Sequence, residues 1–185
     1  MKKTLQTILL VLAVQGFLYG QSTWKGLRFG MSEADVRAAY GKPLQKEVNE
    51  TQETVLVDDT FELLPPPVSV PATVRLSLGK SGKLEVINII AKESPFANEK
   101  DEASASGSTL AVVEQVTSSL VEHYGKALTE EGECKLTAEM LMNHTPVVCN
   151  AVWRSEGQKI EMAWSVFDGR LKNFILSYQP LPTDF

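Results

Sequence analysis

The chain has 185 residues, of which 43% are hydrophobic and 22% are charged, a composition typical of a globular protein and not of a disordered one. Its 23 acidic residues outnumber its 18 basic residues, and the Lys and Arg residues form no cluster, which argues against nucleic acid as a partner. The acidity favours solubility and, at most, a basic protein partner.

The first 20 residues have the order of a secretory signal peptide. Lys2 and Lys3 form a basic start, an apolar stretch follows over 8–14, and small residues such as Gly20 offer cleavage sites. The apolar stretch is shorter than the roughly 20 residues that a membrane-spanning helix needs. We expect residues 1–20 to be removed, leaving a mature chain without a membrane span that is periplasmic or secreted. No cysteine precedes Cys134, which excludes lipidation at a signal-peptide cysteine.

A short helix is the clearest local signal in the chain. Ser32 is a natural N-cap with Asp35 three residues later, Gly41 supplies a left-handed stop, and Pro43 prevents the helix from resuming. Strand-like sequence follows over 54–57, 61–64, 73–78 and 84–91. Asp58 and Asp59 interrupt the first two of these segments, and a run of prolines at 65–67 closes the second.

A second helix is predicted over 109–124 and ends in the same Tyr-Gly-Lys sequence as the first, at 124–126 instead of 40–42. Strands are predicted after it over 134–140, 147–154, 159–167 and 171–178, with a hairpin turn at Asp168-Gly169. The repeated order indicates an internal duplication, although Tyr-Gly-Lys could also be a common helix exit.

The predicted fold class is therefore α+β, with tandem units of a helix plus an antiparallel sheet and the helices packed on one face of the sheets. Residues 21–93 form the first unit and residues 109–185 form the second. The polar, small and charged segment 94–108 between them is typical of a flexible linker.

Cys134 and Cys149 are the two cysteines of the chain, which is the number that makes one disulfide in an oxidising compartment. The loop of about 16 residues that the bridge would close corresponds to roughly 3 kcal/mol in the chain-entropy estimate. A pair of buried free thiols is the alternative.

The pattern Gly30-Met31-Ser32, then Val36, then Gly41-Lys42-Pro43 resembles the small outer-membrane lipoproteins called SmpA/OmlA and, more loosely, the β-lactamase-inhibitor-like fold. The resemblance covers about 15 residues, and this chain lacks the lipid-bearing cysteine of that family. It implies a helix packed on a small antiparallel sheet, tandem copies, and a non-enzymatic module that contacts proteins or other components of the cell envelope.

The sequence contains no catalytic, cofactor-binding or metal-binding constellation. The two histidines, His123 and His144, lie in a helix-ending segment and in a polar loop, and we expect neither to be a catalytic base or a metal ligand. The acidic cluster of Asp58, Asp59 and Glu62 lacks the regular ligand spacing of a calcium loop and is better explained as a solvated turn.

Trp24 and Phe29 flank the segment before the first helix and are candidate partner-binding residues, with core packing as the alternative. We expect an exported, non-enzymatic binding or structural module of the bacterial envelope, whose partner is an envelope or secreted protein. The alternatives are an inhibitor or immunity-type protein against a secreted enzyme, and a periplasmic enzyme that would need His123 or His144.

Overall fold

The computed structural model describes residues 24–63, 70–91, 102–155 and 157–181. The predicted signal peptide 1–20, the proline run 65–67 and the part of the predicted linker at 94–101 lie outside these residues.

One antiparallel sheet of eight strands forms the centre of the molecule, in the order β1-β2-β3-β4-β8-β7-β6-β5. In chain order the elements are α1 Glu33–Tyr40, β1 Gln45–Val48, β2 Thr54–Glu62, β3 Pro71–Leu78, β4 Leu84–Ala91, α2 Glu102–Tyr124, β5 Thr129–Gly132, α3 Ala138–Met142, β6 Val147–Ser155, β7 Gln158–Phe167 and β8 Arg170–Pro180. The α+β class is confirmed. The strands of the two halves of the chain lie side by side in this sheet and meet where β4 pairs with β8.

Helix α1 begins and ends as its sequence predicts. The hydroxyl of Ser32 accepts a hydrogen bond from the backbone N–H of Asp35, whose carboxylate accepts one from the N–H of Ser32, completing a capping box. Gly41 ends the helix with φ of 72°, a conformation that costs a residue with a Cβ more than glycine. Val36 is fully buried and fixes the helix to the core.

The predicted break at Asp58 and Asp59 is wrong, because β2 continues through both residues to Glu62. A bulge between Asp58 and Phe61 shifts the register with β3 and accommodates the acidic residues. Asp58 itself is buried and accepts hydrogen bonds from Tyr40 and Thr60, which offset the cost of its burial.

The predicted strand over 134–140 is also wrong. The strand at this place is the shorter β5, which precedes it, and the helix α3 occupies the later part of the segment. Thr137 determines this helix, because its side chain accepts a hydrogen bond from the N–H of Met140 as an N-cap does. Leu141 then turns inward and is buried.

Two further boundaries differ from the prediction. Helix α2 begins at Glu102 instead of 109, so residues 102–108 of the predicted linker belong to the helix. Strand β1 was not predicted, because its four residues are all exposed and carry no alternation of apolar and polar side chains.

Burial alternates along the strands and gives the sheet a buried face and an open face. One cross-strand row of the buried face consists of Leu56, Leu76, Ile87, Tyr178, Ile160 and Trp153. The next row contains Asp58 and Met162, which are hydrogen-bonded to Tyr40 of α1 and Thr117 of α2, respectively. These helix contacts therefore fall on the buried face.

A row of the open face crosses all eight strands. It runs through Gln45, Val57, Arg75, Asn88, Ser177, Glu161, Val152 and Thr129. The first residue of β1 stands at one end of the row and the first residue of β5 at the other, and the pair Asn88–Ser177 lies at its middle. The two halves of the sheet thus have matching registers.

Candidate functional site

The open face carries polar, charged and small apolar side chains, in contrast to the large apolar side chains of the buried face. Beside the row through Asn88 and Ser177 runs a second open-face row, made of Thr73, Ile90, Ile175, Ala163 and Asn150. Ile175 is 39% exposed and lies between Ile90 and Ala163. The middle of the open face is therefore uncharged and partly exposed, Ser177 being buried there and Ile175 exposed.

The charged groups towards the margins of the open face form ion pairs within it. Arg75 of β3 pairs with Glu47 of β1 at 3.0 Å. Because β2 lies between these strands, the ion pair passes over it, at the position of Val55 and Val57. Both valines are buried, although they belong to the open side.

On the other half of the sheet, Glu161 forms an ion pair of 2.6 Å with the ammonium of Lys159. It also accepts a hydrogen bond from the side chain of Asn150. The hydrogen bond from Lys159 lowers the pKa of Glu161, the opposing effect of burial being smaller. Glu161 is therefore ionised at neutral pH and forms an ion pair within the open face.

Trp24, one of the two predicted partner-binding residues, lies in a tight turn with Leu27. Lys25 and Gly26 form the turn with positive φ angles of 49° and 78°. The Trp24 ring packs against the rings of Tyr40 and Phe61, with centroids 6.3 and 5.5 Å away. Its packing role is thus visible, and its side chain is partly buried.

Trp24 also lines a hollow of about 340 Å³. The other lining residues come from the same turn, from the end of α2 and from β8: Lys25, Ser119, Leu120, His123, Tyr124 and Tyr178. Phe29, the second predicted residue, lines a separate, wider hollow of about 530 Å³ with Gly30, Met31 and residues of α1. The two aromatic residues are thus not parts of one site.

The predicted disulfide between Cys134 and Cys149 is confirmed, with Cα atoms 4.7 Å apart. It joins the segment after β5 to β6 and is compatible with a location outside the cytoplasm. Trp164 is the cross-strand neighbour of Cys149. Trp153 instead donates a hydrogen bond of 3.0 Å to the carbonyl of Gly125 at the end of α2.

The two histidines lie at the end of one helix and just after the end of another. His123 lies in the last turn of α2 with its ring edge-on to Tyr124, and His144 follows α3 with φ of 53°. In the described part of the chain, His, Cys, Asp and Glu side chains form no group of three or more that could hold a metal ion.

Asp58 is a buried acidic residue whose carboxylate accepts hydrogen bonds from Tyr40 and Thr60. Its burial would raise its pKa, but hydrogen bonds from Thr60 and Tyr40 and the charge of Lys42 outweigh that effect and lower it. Burial, together with the same contact, raises the pKa of Tyr40. The pair is a structural tie between α1 and β2 at neutral pH, with an ionised carboxylate and a neutral phenol.

Sequence reasoning missed the residues of the open-face centre and the lining of the Trp24 hollow. The alternation in β7 gave a signal for the open face, since Glu161 and Ala163 stand opposite the buried positions. The hollow gave none, because it joins residues far apart in the chain.

Comparison with protein-family models, with characterised proteins and with solved structures finds no match to this chain. Across the described ranges, no helix is both long enough and apolar enough to cross a membrane.

Proposed function

We propose that this chain is an exported, non-enzymatic binding module of the bacterial cell envelope, and that it binds an envelope or secreted protein through the open face of its sheet. The observation that carries the proposal is the uncharged centre of that face, around Ile90, Ile175 and Ala163, bordered by ion pairs that are already satisfied. The predicted signal peptide and the disulfide support export.

The module consists of two duplicated units, each a helix followed by four strands, with the helices on one face of the sheet. The Tyr-Gly-Lys sequences at 40–42 and 124–126 support this, because Gln45 and Thr129, which begin β1 and β5, each follow five residues after the tyrosine. The strand registers supply independent support. The row that starts at Gln45 and the row that starts at Thr129 meet in the pair Asn88–Ser177, where a two-fold relation between the units requires them to meet.

The ends of the helices support the same equivalence. Counted along the strands from that row, Asp58 and Trp153 occupy corresponding positions in the two units. Asp58 accepts a hydrogen bond from Tyr40 at the end of α1, and Trp153 donates one to Gly125 at the end of α2. Each unit thus ties its helix exit to its second strand, using different chemistry.

The size of the open face is adequate for a protein partner. The six longer strands, without the four-residue strands β1 and β5, are spaced about 4.8 Å apart, and about eight residues of each rise about 3.3 Å per residue. Their face therefore has an area of roughly 750 Å², close to the approximately 800 Å² that each partner contributes to a standard interface. Because the centre of the face is uncharged, we expect the partner to contribute small polar and apolar side chains there.

The proposal is tested by capturing partners from the envelope fraction with the immobilised mature protein and two variants. Ile175→Arg places a charge in the uncharged centre of the open face and is expected to abolish capture. Val121→Arg, on an α2 residue that is 42% exposed, is the matched control and should capture as the wild type does. Equal capture by both variants would overturn the assignment of the open face, and absence of any specific partner would overturn the binding function.

An inhibitor of a basic secreted enzyme is the second candidate, and the short edge strand β5 favours it. Glu130, Glu131 and Glu133 stand close together there, and the strand is exposed throughout. Such a partner would bind one to one and lose affinity on replacing these glutamates by glutamine. The Ile175→Arg variant would then retain inhibition, which separates the two candidates.

A further inference from the structure

The hollow beside Trp24 combines a cation with several hydrogen-bond donors. It lies between the turn 24–27 and the last turns of α2, and Tyr178 of β8 contributes to its lining. In the duplicated arrangement it stands where the start of one unit meets the helix and last strand of the other. None of the residues of the open-face centre lines it.

Lys25 supplies the cation. Its ammonium lies 4.6 Å from the ring centroid of Phe61 and 5.4 Å from that of Trp24. Two other lysines, Lys46 and Lys159, instead form ion pairs with glutamates. The contacts of Lys25 with aromatic faces orient the ammonium without neutralising it.

The remaining polar groups of the hollow are suited to an anion. Ser119 and His123 can each donate a hydrogen bond, Tyr124 is hydrogen-bonded to Tyr178, and the described residues that line the hollow include neither Asp nor Glu. Burial and the neighbouring Tyr124 raise the pKa of Tyr178, so this phenol is neutral and does not repel a negative charge. Among the described residues, Lys25 forms no ion pair with a carboxylate, so the lining of the hollow contributes a positive charge.

The apolar side of the hollow limits the kind of anion. Leu120, which is largely buried, and the partly buried ring of Trp24 form the apolar part of the lining, on which a flat or apolar group can pack. We propose that this hollow binds a small organic anion, with its carboxylate or phosphate at Lys25 and its apolar part against Trp24 and Leu120. This site goes beyond the proposed protein-binding function and does not depend on the open face.

The test is a titration of the ¹⁵N-labelled mature protein with benzoate, phenyl phosphate and uncharged benzamide, followed through the indole N–H signals. Benzoate or phenyl phosphate should shift the Trp24 signal and leave those of the buried Trp153 and Trp164 unchanged, whereas benzamide should not. The two anions separate a carboxylate preference from a phosphate preference.

The decisive variant is Lys25→Gln, which removes the charge and leaves a shorter polar side chain. Because a hydrogen bond to a charged group contributes about 1.5–3 kcal/mol, the affinity for the anion should fall roughly tenfold or more. Lys80→Gln, at an exposed lysine of the β3–β4 turn, is the control and should bind as the wild type does.

Equal shifts with benzamide, unchanged anion binding by Lys25→Gln, or no shift of Trp24 at anion concentrations up to about 10 mM would each overturn the proposal. Partner capture is scored separately on the same Lys25→Gln protein. If Lys25→Gln loses anion binding and still captures the partner, the anion site and the protein-binding face are separate.

Discussion

The first and second halves of the sheet have the same strand order but are held together differently. In the first half, a buried carboxylate, Asp58, ties β2 to Tyr40 of α1. In the second half, the indole of Trp153 fills the corresponding place and binds the backbone at Gly125, and a disulfide and the helix α3 are added. The two halves of the sheet thus have matching registers, although a polar residue in one half and an aromatic residue in the other connect the helix to the strand.

The largest effect is expected from Trp153→Ala in the second half. The residue is 2% exposed, so its loss removes a large buried side chain and the hydrogen bond to Gly125. Urea denaturation should show a loss of about 3–5 kcal/mol in the free energy of unfolding. Phe167→Ala, at a ring that is 41% exposed, serves as the control and should cost well under half as much. Similar losses for both variants would contradict the assigned role of Trp153.

The second-largest loss of stability is expected from removing the disulfide. The described part of the first half contains no disulfide. Replacing Cys134 and Cys149 together by alanine should lower the free energy of unfolding by about 3 kcal/mol, the chain-entropy value for a loop of this length. A reducing agent should destabilise the wild type to a similar extent and leave the double variant unchanged. A wild type indifferent to reduction would contradict a stabilising bridge.

A smaller effect is expected from Tyr40→Phe, which removes the hydrogen bond to Asp58. At pH 7 the cost should be about 1.5–2 kcal/mol, because the acceptor is charged and Thr60 still satisfies the other carboxylate oxygen.

The pH dependence of this variant provides a second readout. The folded pKa of Asp58 is depressed below 3.8, so its contribution is present above that value and is lost as the pH falls through the folded pKa. The difference between wild type and Tyr40→Phe should therefore narrow in acid. A difference that stays constant from pH 7 to the acid limit of folding would show that the ionised carboxylate is not involved.

The smallest loss of stability is expected from replacing the glycines that follow α1 and α2, and comparing the two variants tests whether the two helix ends are equivalent. Gly41 and Gly125 have φ angles of 72° and 78°, and a Cβ added at either would meet no atom within 4 Å. Gly41→Ala and Gly125→Ala should thus cost only the conformational strain, about 1 kcal/mol each. Thermal denaturation of the two variants should give equal losses, and a clear inequality would weaken the proposed duplication.

The sequence predicted those parts of the fold that depend on neighbouring residues. Ser32 and Gly41 determine the ends of α1 by local hydrogen bonding and backbone conformation, and the Asp168-Gly169 turn forms with φ angles of 53° and 69°. The disulfide was predictable because two cysteines allow one pairing.

The remaining parts depend on contacts between distant residues. Asp58 was assigned to a break because an isolated aspartate disfavours a strand, but Tyr40 and a bulge compensate for it in β2. Segment 134–140 alternates like a strand, yet the cap at Thr137 prevails. The hollow was not predictable, since Lys25 and Tyr178 come together only when β4 and β8 join the two halves.

The most direct test of the central claim is site-specific photocrosslinking in cells that export the protein. A photoreactive amino acid at Ile175 or Ile90 reports on the centre of the open face, and one at Val121 reports on the outer side of α2. The account predicts a discrete adduct to one envelope or secreted protein from the two sheet positions and none from Val121. Adducts from Val121 alone, or from none of the three positions, would contradict it.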